Sequence, residues 1–286
     1  MSFDLGPAHW SSRARALTPS RVASRVAIGL ATLAILGLTT AAWSGEEKTA
    51  ASTSTLRVVT YEWAPFFHHD EQGQIVGLEY DLLRSFVEAR SLELEIVWKE
   101  DFDDVVPTLL NGEADVAAAT LTITEERLKS MDFSAPYFPV LLVLVRQIGA
   151  TESSSSDLAG KRIATIAGTT YEQYAKGFAD AEIVYVTTEE EMFEAVASGK
   201  ADALATDSPN VLRVGSSYPD LEIVEALSER EFYGFALPQG DPLTGPLTAH
   251  IEQLVASGAY WTFLEQAFGS IVADYSDEMK ATFLAH

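Results

Sequence analysis

The sequence contains no cysteine. That absence excludes disulfide bonds, thiolate catalysis, thiolate zinc sites and a lipid-modified N-terminal cysteine. Positive charge is also scarce: 19 Lys and Arg residues stand against 42 Asp and Glu in 286 residues, a formal charge of −23 at pH 7. A surface of that sign repels phosphate, so no nucleic acid is expected as a partner. There is no Gly-rich phosphate loop, no nucleophile elbow and no Ser/His/Asp grouping, so enzymatic chemistry finds no local support. The pairs His68-His69 and Asp103-Asp104 have no third partner at a diagnostic spacing, so neither a metal nor another cofactor is expected.

What is present is an ordinary globular composition, 47% hydrophobic and 21% charged, with room for one large domain or two lobes. Arg13, Arg15, Arg21 and Arg25 precede an uncharged run over residues 26–38 and small residues over 39–42. This order makes residues 1–44 an export signal, with cleavage after Ala42 or Ser44. An uncleaved anchor is the alternative, because residues 26–43 come to 18, just enough to span a membrane. Both readings place the body of the protein outside the cytoplasmic membrane, in the periplasm. Without those 44 residues the chain keeps 15 basic and 41 acidic residues, a charge of −26 that reads as a heavily solvated surface. Residues 45–55 are small and polar, a linker.

From Leu56 onward, strand and helix patterns alternate. A strand over 56–60 leads into an aromatic loop over 61–67. Apolar residues at 78, 82, 83, 86 and 87 then predict a helix over 78–91. A strand over 94–98 and a helix over 103–110, burying Val105, Val106, Leu109 and Leu110, follow. The alternation implies a mostly parallel sheet flanked by helices. An apolar strand is expected over 139–146 and a lobe boundary over 151–156. A second set comes next, with strands over 161–166, 182–186 and 201–205 and helices from about Tyr171, over 189–198 and over 209–215. Strands over 221–224 and 232–237 lead to closing helices over 242–255 and 260–268. One echo links the sets: Asn111-Gly-Glu-Ala-Asp115 resembles Ser198-Gly-Lys-Ala-Asp202. Five residues past each aspartate stand Thr120 and Asp207, at the strand ends where ligands bind in open α/β sheets.

Thr120-Leu-Thr-Ile-Thr-Glu-Glu-Arg127 then reads as a strand end turning into a short helix that starts near Thr122 or Thr124. Its first N–H groups and the Arg127 guanidinium suit a carboxylate; a Thr122/Glu125 capping box with Arg127 on the surface is the alternative. Gly168-Thr169-Thr170 is a second turn that can hold an anion. Asp207 either caps the following helix or, if Ser208 takes the cap, stays free for an ammonium. Anion groups in both lobes with one cation acceptor point to a zwitterion, an α-amino acid. Trp63 and Phe102 are candidates to cover its apolar part, with Tyr61 and Glu62 close by.

These segments resemble the bacterial extracellular solute-binding proteins of family 3. The matching stretches are Trp63-Ala-Pro-Phe, Gly77-Leu-Glu-Tyr-Asp-Leu, Gly112-Glu-Ala-Asp115, Thr122-Ile-Thr-Glu-Glu-Arg127, Asp132-Phe-Ser-Ala-Pro-Tyr137, Gly168-Thr-Thr and Ala201-Asp-Ala-Leu-Ala-Thr-Asp-Ser-Pro209. The resemblance implies an α/β, two-lobed periplasmic binding protein type II fold with two crossover strands as hinge, over 141–146 and 231–235. Lobe 1 is then discontinuous, 56–145 and 232–273, lobe 2 spans 146–231, and 274–286 is a C-terminal tail. It implies that Arg127, Thr122, Thr169 and Thr170 hold an α-carboxylate, that Asp207 and the Thr120 carbonyl take the α-ammonium, and that Trp63 and Phe102 sandwich the side chain. The implied partners are an amino-acid ligand and an ABC import permease, with the protein itself a monomer and not an enzyme. Glycine is common where Thr120 stands, and proline where Glu125 stands. Receptors for cationic amino acids often carry an acid where Thr60 stands, and Ala119, Ile166 and Tyr171 read as neutral to apolar walls, which disfavours arginine or lysine. The same fold also hosts cyclohexadienyl dehydratases, for which Glu62, Glu79 or His68 would supply the acid, and a tethered amino-acid sensor is a further alternative.

Overall fold

Strand β1 (Thr55–Tyr61) opens the first α/β set, followed by the short pair β2 (His68–His69) and β3 (Ile75–Val76), helix α1 (Leu78–Arg90), β4 (Glu93–Lys99), α2 (Val105–Leu110) and β5 (Val116–Ala117). The computed structural model describes residues 54–151 and 154–269. The expected signal segment, most of the linker and the C-terminal tail lie outside the described residues. Next come β6 (Met131–Phe133), β7 (Phe138–Val140) and β8 (Leu142–Gln147). The second set is β9 (Arg162–Ile166), α3 (Thr170–Gly177), β10 (Glu182–Val186), α4 (Glu189–Ala197), β11 (Ala203–Asp207), α5 (Ser208–Arg213) and β12 (Leu221–Ala226). The chain closes with β13 (Glu231–Tyr233), β14 (Ala236–Pro238), α6 (Thr244–Ser257) and α7 (Ala259–Phe268).

Helix α1 shows why the periodicity was readable. It buries Leu78, Leu82, Leu83, Phe86 and Val87, the stripe that a 3.6-residue repeat puts on one side, each worth roughly 1.5–3 kcal/mol when fully buried. It begins after Gly77, at φ 125°, where an added Cβ would stand 2.3 Å from the Phe66 carbonyl oxygen, so a larger residue would have to displace backbone. Two expectations nearby need correcting. Phe102–Asp104 forms a separate 3-10 turn ahead of α2, and Leu110 is 49% exposed rather than buried, because so short a helix covers only Val105, Thr108 and Leu109.

Two five-stranded sheets result, ordered β4-β1-β5-β14-β6 and β10-β9-β11-β8-β12. Each is mixed rather than mostly parallel. Strands β4, β1 and β5 run parallel while β14 is antiparallel to both β5 and β6. In the second sheet β10, β9 and β11 run parallel while β8 is antiparallel to β11 and β12. The antiparallel strands are those through which the chain enters or leaves a sheet.

The two apolar stretches expected as single strands are each divided. Residues 139–146 fall into β7 and β8, separated at Leu141, and residues 232–237 into β13 and β14. Strands β7 and β13 pair with each other, Glu231 opposite Val140 and Tyr233 opposite Phe138, and belong to neither five-stranded sheet. The connecting ribbon is therefore this pair. Strand β8 (Leu142–Gln147), most of it expected as the first crossover strand over 141–146, pairs with β11 and β12 in the second sheet. Each segment breaks because its halves serve different sheets.

The sequence echo has a structural counterpart. The Asp115 carboxylate accepts the Arg57 backbone N–H at 2.9 Å and pairs with its guanidinium at 2.6 Å. Asp202 does the same with Arg162, at 2.8 and 2.7 Å. Arg57 also donates to the carbonyls of Gly112 and Glu113, and Arg162 to that of Lys200. In both sets the knot fastens the segment after the helix to the first strand, just ahead of the next strand. One apolar cluster packs β1, the aromatic loop and α1 against α6 and α7, and a second runs through both sets, from Val59 and Val105 to Ala164, Phe193 and Leu204.

Candidate functional site

The chain segments carrying Thr120 and Asp207 line one shared cavity that is partly open to solvent. From the first set it is lined by Tyr61, Phe102, Thr120, Thr122 and Arg127, and from the second by Thr169, Thr170, Tyr171, Glu189 and Asp207. Seven of the eight residues singled out from the sequence are brought together there. Trp63 is not among them.

Thr120 takes φ 50°, the left-handed region that a β-branched residue avoids. It is held there because its N–H donates to Glu79 Oε1 at 2.9 Å, and the same oxygen accepts from the Tyr137 hydroxyl. This explains why glycine suits the position. Glu79 is 1% exposed, and burial raises its carboxyl to about 7.

Beyond Thr120 the chain does not form the expected helix. The Ile123 N–H donates to the Phe232 carbonyl at 2.8 Å, and the Gly234 N–H to the Leu121 carbonyl at 3.1 Å. This extended pairing satisfies the groups a helix would have left open, so only a 3-10 turn, Arg127–Lys129, follows. Arg127 is 8% exposed. Its Nη1 donates to the Thr122 carbonyl at 2.9 Å and its Nη2 to the Gly168 carbonyl, in the other lobe, at 3.3 Å. Burial pushes the guanidinium below its ordinary value, and the negative charge of Asp207 opposes that shift most strongly.

Across the cavity, Thr169 caps α3, its Oγ1 accepting the Glu172 N–H at 3.2 Å and donating to the Ile166 carbonyl at 2.6 Å. Thr170 opens the helix, so its N–H has no carbonyl one turn back within it. Asp207 does not cap α5, and neither does Ser208, whose Oγ instead accepts the Leu141 N–H at 3.3 Å. The Asp207 Oδ2 accepts from Tyr233 at 2.5 Å and from Tyr171 at 3.4 Å. Its Oδ1 is buried with no hydrogen-bond partner among the described residues. Burial raises this carboxyl to about 7 against the hydrogen bonds and Arg127, which favour its charge.

The aromatic wall differs from expectation. Tyr61 faces the cavity, with Phe102 packed edge-on against it at 5.5 Å and Trp63 stacked against it at 6.1 Å. Trp63 thus stands one layer back, 6% exposed. Ala119 and Ile166, expected as walls, are also outside the lining, whereas Tyr171 is within it. Sequence reasoning missed Tyr233, hidden in a strand assigned to the hinge. It also missed Glu189, first of three consecutive glutamates at the start of α4. Of the acids named for an enzyme, Glu62 is tied to His69 at 2.9 Å and Glu79 to Thr120, and neither they nor His68 line the cavity.

A family model described as bacterial extracellular solute-binding proteins, family 3, matches residues 56–270. The chain belongs to this family. It is similar to an L-arginine-binding protein of Pseudomonas aeruginosa, 27% identical over 234 residues that cover 77% of this chain and 90% of the relative. A solved ancestral arginine-binding protein bound to arginine superposes with TM-score 0.68 at 33% identity, over 76% of this chain and 99% of that one. A membrane-bound lytic murein transglycosylase F of Idiomarina loihiensis is 27% identical over 216 residues, 72% of this chain and 47% of the relative. As in the family's type II fold, the two α/β lobes face each other across the cavity. Among the described residues no helix is long and apolar enough to cross a membrane.

Proposed function

We propose that this protein is an extracytoplasmic receptor that captures an α-amino acid between its two lobes and delivers it to an ABC import permease. The observation that carries this reading is the presence, in the lining of one cavity, of both Arg127 and Asp207, two buried side chains of opposite sign, the Asp207 Oδ1 having no partner among the described residues. A buried carboxylate with an unused oxygen is costly unless a donor meets it, and an α-ammonium is such a donor. Arg127 receives the α-carboxylate, joined by the Thr122 group from its own lobe and the first-turn N–H groups of Thr169 and Thr170 from the other. The Thr120 carbonyl and Asp207 take the ammonium, and Phe102 with Tyr61 covers the side chain.

Because these groups come from both lobes, a ligand that bridges them favours the closed arrangement over the open one. The closed form then docks on the permease, and the receptor acts as a monomer in the periplasm. The named relatives that bind arginine support the ligand class. A thermal-shift screen of the amino acids followed by calorimetry tests the reading, since a ligand specific for the native state raises its stability. Saturable binding of at least one α-amino acid is expected. A flat screen together with turnover of prephenate or arogenate would replace the receptor with an enzyme.

A further inference from the structure

The cavity lining carries one positive group, Arg127, and two carboxyl groups, Asp207 and Glu189. A bound zwitterion matches its carboxylate to Arg127 and its ammonium to Asp207, which leaves Glu189 unanswered. Glu189 is 4% exposed. Apart from its own backbone N–H, no described residue donates a hydrogen bond to it. Arg213 acts on it through charge, but the Arg213 Nη1 pairs with Glu190 at 2.6 Å and Arg213 lines no part of the cavity. Glu231, outside the lining, adds further negative charge facing Arg127. Once the amino-acid backbone has been accommodated, Glu189 is the carboxyl of the lining left without a cation to ionise against.

We infer that Glu189 is a specificity residue that pairs with a positively charged ligand side chain, so that the receptor selects a cationic α-amino acid. This rests on the receptor reading above. It reverses the expectation drawn from Thr60, because the acid comes from the start of α4 in the second lobe rather than from β1 in the first. Burial holds the Glu189 carboxyl up at about 8 without such a partner, so a cation arriving beside it ionises it and releases a proton. Tyr61, which lines the same cavity from the first set, feels the same negative charge.

The test is calorimetry on the full chain with matched pairs: L-arginine against L-citrulline, L-lysine against L-norleucine, and L-ornithine against L-norvaline. Wild type is expected to prefer the cationic member by at least about tenfold, as for other close charge pairs. Glu189→Gln is expected to lose that preference while still binding the neutral member saturably, which also shows that the variant is folded. For wild type, cation binding should release a proton, read from the dependence of the heat on buffer ionisation enthalpy, and in Glu189→Gln that release should shrink. If neutral amino acids bind and the cationic preference is absent or survives Glu189→Gln, the assignment of Glu189 is overturned while the receptor reading stands. If no α-amino acid binds wild type at all, both fall.

Discussion

Arg213 of α5 lies over the indole of Trp63, its guanidinium carbon 4.1 Å from the ring centroid. Trp63 belongs to the first lobe and Arg213 to the second, so the contact joins the lobes one layer behind the cavity and accounts for the absence of Trp63 from its lining. A cation over a shielded indole contributes roughly 0.5–2 kcal/mol. If the contact forms only on closure, Arg213→Ala is expected to weaken ligand binding by about 2- to 30-fold, mostly through faster release. Stopped-flow dissociation checks this, and an unchanged release rate would exclude a closure contact.

Thr120 and Glu79 make a separate prediction about stability. Removing the Glu79 carboxyl leaves the buried Thr120 N–H and Tyr137 hydroxyl without their acceptor, at a cost of about 1–3 kcal/mol. Thr120→Gly relieves the left-handed strain at φ 50° and is expected to be neutral or stabilising by up to about 1 kcal/mol. Urea denaturation of Glu79→Ala and Thr120→Gly should show opposite signs or one null effect. A strongly destabilised Thr120→Gly would mean that the backbone there is not strained.

The buried carboxyl groups set a pH dependence. Folding raises Asp207 from 3.8 to about 7, Glu79 from 4.5 to about 7 and Glu189 from 4.5 to about 8. Between the lower and upper values the folded state holds protons that the unfolded chain has lost, so stability falls as pH rises through that window. Below the lower values both states are protonated and the effect vanishes. The melting temperature of the ligand-free protein is therefore expected to be lower at pH 8 than at pH 5.5, and Asp207→Asn should shrink the difference. An equal slope in that variant would remove Asp207 from the account.

The fold was legible where a repeat in the chain matched a physical period. The stripe of α1, the alternation of elements and the Asn111–Asp115 echo all follow from local rules, and the short motifs around Arg127, Gly168 and Asp207, together with Phe102, account for seven of the residues lining the cavity. What was hidden depended on partners distant in sequence. The extended path of Leu121 and Ile123 is fixed by β13 more than a hundred residues away, so local propensity predicted a helix. Trp63 was displaced from the cavity by Tyr61, two residues earlier, and by an arginine from the other lobe. Glu189 could not be told from Glu190 and Glu191 because helix phase alone decides which of the three is buried.

The central claim is that Arg127 receives the carboxylate of an α-amino acid. Calorimetry of wild type and Arg127→Ala, using the amino acid that most stabilises wild type, measures it directly. Loss of roughly 2–5 kcal/mol of binding, as when one partner of a buried charge pair is removed, is the predicted result; equal affinity in the two proteins would contradict it.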